Sequence, residues 1–267
     1  MNVYSILVME QTTAGGRMRD GMKHTARGNA GMVKSRHAEE DGRKLSRDAI
    51  NALPLFHFSG KVSLVRKPED MDYALRKLIR KANGKSPHIL APDGKTEATQ
   101  VLGFDTETRP SFRKGKSYTP SLIQLALEDE VFLFHLKWMP LGRELISILE
   151  DAAIIKTGVA VHDDMRFLAK LAPFTPSSVV DLGEVAARNG IENRGLRGLA
   201  AFFLGMRISK GEQCSNWGNS ALSPRQIRYA ATDAWISRAV YFSMREAGLD
   251  FSSAHQELSA TKAHTSV

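Results

Sequence analysis

One cysteine, Cys214, stands in a chain of 267 residues, so neither an internal disulfide nor a cysteine-rich zinc site can form. A single thiol fits a reducing, cytoplasmic setting. No apolar run approaches the roughly 20 residues needed to cross a bilayer, which excludes a helical integral membrane protein. Val3–Met9 is apolar, but no basic residue precedes it and Glu10 follows, so it makes a poor secretory signal. Residues 11–47 hold almost no large aliphatics and cannot offset their ordering entropy. They read as a disordered basic extension. Glu39, Glu40 and Asp41 argue against an organellar transit peptide there. From Asp250 the chain turns polar again, so 1–47 reads as a disordered basic N-terminal extension, 250–267 as a second disordered tail and 48–249 as one folded domain. Acids are in deficit as well. Lys and Arg number 37 against 29 Asp and Glu, which points to a polyanionic partner, nucleic acid before any membrane surface.

Inside 48–249 strand and helix patterns alternate. Val62–Val65 reads as a short strand. A helix opened by Pro68 follows, with Met71, Ala74, Leu75, Leu78, Ile79 and Ala82 on one face and Gly84 as its stop. Strands are expected at Val101–Glu107, Ser121–Leu127 and Val131–Leu136. The last two are close enough for an antiparallel hairpin. A helix near 141–151, a strand at 154–160, a helix at 163–171 and a strand at 178–182 then alternate as parallel crossovers do. The remainder to Gly248 reads as mainly helical. The expected fold is α/β, a mixed sheet that is antiparallel first and parallel after, flanked by helices.

Asp105 and Glu107 interrupt an apolar strand, and period-2 geometry puts both carboxylates on one face. The pattern alone is weak: about 0.8 Asp-x-Glu pairs arise by chance in a chain of this composition. Context strengthens it, since two like charges on a core strand need a cation to compensate them. Ser223-Pro224-Arg225-Gln226 opens a long helix with a capping box, and within it Tyr229 and Asp233 share a face. After the apolar run 154–161 come His162, Asp163 and Asp164. Either aspartate could cap the next helix, and the pattern does not choose which one is free for a site. Four carboxylates and a phenol, with no His or Cys cluster, select Mg²⁺ or Mn²⁺. Two such ions would balance four acids and suit phosphodiester hydrolysis. Gly-Lys-Ser/Thr occurs at 84–86, 94–96 and 115–117. The glycine that a phosphate-binding loop needs five residues earlier is missing each time. His135, inside an apolar strand, reads as a core residue.

Three segments carry a resemblance. Gly103-Phe104-Asp105-Thr106-Glu107 looks like the first motif of the DEDD 3′→5′ exonuclease superfamily. Gly158-Val159 through Asp164 resembles the second, and Tyr229-Ala230-Ala231-Thr232-Asp233-Ala234 the third in its tyrosine form. Ser121–Leu125 and Cys214–Trp217 look like framework segments of the branch holding RNase D and the Werner-type exonuclease domain. The similarity spans roughly residues 60–246. It implies an RNase H-like fold and a two-metal mechanism with Asp105, Glu107, Asp164 and Asp233 as ligands. Asp105 would bridge both ions and Tyr229 would orient the attacking water. The resemblance, unlike the bare pattern, favours Asp164 over Asp163. Gly218-Asn219-Ser220-Ala221-Leu222 departs from the family by lacking the proline usual before that leucine.

The expected activity is 3′→5′ removal of nucleotides from single-stranded or frayed ends of DNA or RNA. The alternatives are a catalytically idle nucleic-acid-binding adaptor of the same fold and an RNase D-like tRNA 3′-processing ribonuclease. No residue distinguishes RNA from DNA, and no membrane partner is implied. Lys210, Arg113, Lys114 and Lys116 are candidate phosphate contacts, and Phe112 and Tyr118 could stack on bases.

Overall fold

A computed structural model describes residues 44–79, 89–92, 94–111 and 118–251. Helix α1 (Arg47–Ala52) leads to strand β1 (Lys61–Val65) and helix α2 (Pro68–Leu78). Strands β2 (Gln100–Thr108), β3 (Pro120–Ala126) and β4 (Glu130–His135) follow, then α3 (Arg143–Glu150), β5 (Ile154–Gly158) and α4 (Val161–Leu168). Strand β6 (Val179–Asp181) and helices α5 (Leu182–Arg188), α6 (Leu196–Leu204) and α7 (Pro224–Glu246) complete the order. Residues 1–43, 80–88, 93, 112–117 and 252–267 lie outside this description, and with them most of both expected tails and the stop at Gly84.

The six strands form one sheet in the order β1-β4-β3-β2-β5-β6. β2, β3 and β4 are the expected antiparallel meander, and β5 and β6 run parallel to β2. β1 adds to the far edge, parallel to β4, so β3 alone runs against the others. Its sequence gave no hint of its partner. The buried Glu130 carboxylate holds it there, accepting from Ser63 Oγ at 2.6 Å and Tyr73 Oη at 2.8 Å.

The two faces of the sheet differ in kind. One is apolar: Leu102, Phe104, Ile123, Leu125, Phe132 and Phe134 pack against α2, α3 and α4. Removing that hydrocarbon from water drives the fold. The opposite face receives α7. None of the described helices is long and apolar enough to cross a membrane.

Lys44–Arg47, assigned by the sequence pattern to the basic extension, contact the same folded unit. Lys44 pairs with Glu192, and Leu45 exchanges two hydrogen bonds with the Asn193 side chain. A short polar segment can be ordered in this way by partners distant in sequence, which composition alone does not reveal.

Candidate active site

Asp105 and Glu107 leave β2 toward α7, as the period-2 pattern predicts. The helix lies very close because Gly103, on the same face, carries no side chain. A Cβ there would stand 1.9 Å from the Ala234 carbonyl oxygen. Tyr229 and Asp233 sit one turn apart on α7, whose start the sequence located correctly. Ser223 Oγ accepts from the Gln226 amide at 3.2 Å, and the Gln226 side chain accepts from the Ser223 amide at 2.9 Å. The same Gln226 donates to Ser215 Oγ and to the Asn216 carbonyl, fastening the preceding loop to the helix. From that loop the fully buried Trp217 sets its ring 6.1 Å from that of Tyr229. Where the family proline is missing, β4 and the residues just after it hold the loop. His135 Nε2 lies 2.8 Å from the Asn219 carbonyl oxygen, and Trp138 Nε1 donates to that of Ser220.

Asp164 arrives by a different route. Pairing of β5 with β2 stops at Gly103–Thr157, so β2 runs on past its neighbour. Gly158 allows the turn to approach: a Cβ there would lie 2.3 Å from the Phe104 carbonyl oxygen. Ala160 takes a left-handed φ of 59°, and α4 begins at Val161, two residues before the expected start. That shift sends the two aspartates in different directions. Neither caps the helix, because the cap position is Ala160. Asp163 is exposed and pairs with Arg166. Asp164 accepts from Thr106 Oγ1 at 2.7 Å. Since Thr106 leaves the strand on the face opposite Asp105, Asp164 reaches the site around the edge of β2. The capping work falls to Asp181. One of its oxygens receives the Val161 amide at 3.1 Å, and the other the amides of Gly183 and Glu184.

One oxygen each from Asp105, Glu107 and Asp233 lies within 4.8 Å of the others, and Asp164 stands beside this trio. The cost shows in their protonation. Burial first, then the charges of Asp233 and Asp164, hold Asp105 well above the ordinary carboxylate value. Glu107 is pushed up to about 10, by burial and then by Asp105. Burial raises Asp233 to about 7 and Asp164 to about 6, against the opposing hydrogen bonds from Tyr229 and Thr106. Tyr229 itself is raised, by burial first and then by Asp233 and Glu107. No Lys or Arg forms an ion pair with these four acids among the described residues, and the buried Asp233 Oδ1 has no hydrogen-bond partner. An all-oxygen nest with unmet acceptor capacity suits hard divalent cations.

The nest opens into a cleft of about 850 Å³. Lys210 lines it. Arg113, Lys114, Lys116 and Phe112 fall outside the described residues. Tyr118 lines a separate pocket of about 440 Å³, with the Arg109 guanidinium 5.0 Å from its ring centre. Arg47, Asn51 and Arg197 also line the main cleft, and no sequence signal marked them. A short polar helix has too few apolar positions to show which way it faces.

Residues 89–248 match a family model described as 3′-5′ exonuclease. The chain is 34% identical over 154 residues to the bifunctional 3′-5′ exonuclease/ATP-dependent helicase WRN of Mus musculus, a match covering 55% of this chain and 11% of that protein. It is 34% identical over 149 residues to exonuclease 3′-5′ domain-containing protein 2 of Drosophila melanogaster, covering 53% and 25%. The chain therefore spans a quarter or less of these two relatives. Among solved structures, the Aedes aegypti Nibbler EXO domain superposes with a TM-score of 0.59 at 21% identity, covering 73% of this chain and 95% of that one. That likeness concerns the fold, which is RNase H-like. The matched family segment takes in all three acid-bearing elements, β2, α4 and α7, and well over half of the sequence: the chain belongs to the DEDD superfamily of 3′-5′ exonucleases.

Proposed function

We propose that this chain hydrolyses phosphodiester bonds one nucleotide at a time from the 3′ end of a single-stranded or frayed nucleic acid, using two divalent cations of the Mg²⁺ or Mn²⁺ kind. The observation that carries the reading is the meeting of Asp105, Glu107 and Asp233 within 4.8 Å, with Asp164 and Tyr229 against them. Asp105, Glu107, Asp164 and Asp233 would hold the cations. Bound there, the ions supply charge neutralisation, activation of water and stabilisation of the phosphorane-like transition state.

The protein groups do the rest. Asp105 and Glu107 stand on a strand and Asp233 on a long capped helix, so the nest is preorganised rather than gathered by the substrate. Tyr229 keeps its proton at neutral pH, because burial and the surrounding acids raise its pKa. It therefore serves as a hydrogen-bonding group that aims the attacking water, not as a base. The buried Trp217 ring packs at a tilt against its own. In the balanced step, water oxygen bonds to phosphorus and the bond to the penultimate 3′ oxygen breaks. A nucleoside 5′-monophosphate leaves, and the shortened strand keeps a new 3′-hydroxyl.

The test is digestion of matched 5′-labelled RNA and DNA oligomers with free or blocked 3′ ends. Stepwise shortening is expected only from free 3′ ends and only with Mg²⁺ or Mn²⁺. Shortening that persists in excess chelator, or in Asp233→Asn, overturns the proposal.

A further inference from the structure

The cleft wall formed by α1 lies before the segment that matches the family, and it is tied in place by its own contacts. Leu45 is clamped by Asn193, Lys44 pairs with Glu192, and the Ser46 side chain caps the helix by accepting from the Ala49 amide. Beyond the helix, Arg207 bonds the Leu53 carbonyl through Nε, and its backbone exchanges hydrogen bonds with Pro54 and Phe56. This strap from Lys44 to Phe56 is thus held to α6 and its flanks at both ends. Its inner side lines the same cleft as Asp105, Glu107 and Asp233.

Two guanidinium groups are concentrated there. Arg47 and Asn51 are four apart on α1 and share a face, and Asn51 accepts a hydrogen bond from Arg197 on α6. Arg47, Asn51 and Arg197 all line the cleft, as does Lys210 from the loop after α6. Arg47 enters no ion pair among the described residues. The Nε of Arg197 is buried and has no acceptor. A buried donor left unmet is costly, and here it borders an open cleft. Guanidinium donors in a planar fork match phosphate oxygens.

We propose that Arg47 and Arg197, with Lys210, form a phosphate track that grips the backbone of the single strand upstream of its 3′-terminal nucleotide. This rests on the exonuclease reading and specifies how the same cleft holds its polyanion. The nest of acids repels incoming phosphates, so a strand needs cations along the approach and away from the scissile bond. The strap adds Arg47 to them from outside the family-matched segment, while Arg197 and Lys210 come from within it.

Anisotropy with a labelled single-stranded 12-mer, in chelator and over a salt series, tests the track without requiring turnover. Arg47→Ala is expected to weaken binding about 3- to 10-fold and to reduce the slope of log affinity against log salt by about 0.7, the value for one lost phosphate contact on a single strand. Arg47→Lys should restore the slope, because it counts charge. A role in holding the fold alone would not follow charge in this way. Arg66→Ala, a cation on the loop between β1 and α2, should leave the slope unaltered. An Arg47→Ala slope equal to wild type, or a loss that Arg47→Lys does not recover, overturns the track. Failure of the wild type to shorten any oligomer would instead overturn the exonuclease reading, while the binding result still decides the track.

Discussion

The two faces of β2 are built from alternate residues of one strand, yet they do opposite things. Leu102 and Phe104 are fully buried in the apolar layer, where burial lowers the free energy of the fold. Gly103, Asp105 and Glu107 face α7, where one residue is a missing side chain and two are crowded charges. A single strand thus stabilises the domain on one side and crowds acids, with no basic partner among the described residues, on the other. The lesson is that the site is tolerated because the opposite face is so well packed.

The sharpest way to break this contrast is to change one face at a time. Asp105→Ala or Asp233→Asn should lower kcat/KM by about three orders of magnitude or more while the protein remains folded; oligonucleotide hydrolysis and thermal unfolding, measured together, check both parts. Phe104→Ala should do the reverse. It should cost about 3–5 kcal/mol of stability by leaving a cavity, and molecules still folded at low temperature should keep most of their turnover. Equal losses of activity in the two variants, corrected for folded fraction, would erase the distinction. Tyr229→Phe should slow turnover roughly 10- to 100-fold, with the cation dependence of binding unmoved in calorimetry.

A fourth expectation concerns pH. In chelator, Asp233 takes up its proton at about 7 in the folded protein but near the ordinary carboxylate value when unfolded. The folded state binds more protons across that interval, so this stabilising contribution is complete below about pH 4 and fades as pH rises through 7. Lys156, buried in β5 and lowered to about 7, works in the opposite direction above neutrality. The clean readout is therefore a difference: Asp233→Asn minus wild type should grow more favourable from pH 5 to 8, by several degrees of Tm. A flat difference would show that Asp233 is not penalised in the absence of cations. The smallest effect belongs to Asp163→Ala, expected to change stability by under about 0.5 kcal/mol and turnover by less than twofold, since its partner is a surface arginine.

Much of this was legible in the sequence for local reasons. The Asp105–Glu107 face follows from a two-residue period, and the start of α7 from a capping box that acts within four residues. What escaped depends on partners far along the chain. The Asp163 and Asp164 ambiguity turned on where α4 starts, and that is set by Gly158 passing Phe104 and by Asp181 bonding Val161. β1 could be recognised as a strand, but not as a neighbour of β4. Nor could α1 be set against the cleft, because Asn193 and Arg197 lie about 150 residues away.

Gly103 has a mechanical consequence for the reaction. The separation between the backbone that bears Asp105 and the one that bears Asp233 is gauged by a lone hydrogen atom pressed on the Ala234 carbonyl. Any bulkier substituent at that point would act as a wedge, prising strand and helix apart and detuning the distance across which Asp105 and Asp233 would share the proposed cations, with every acid still intact.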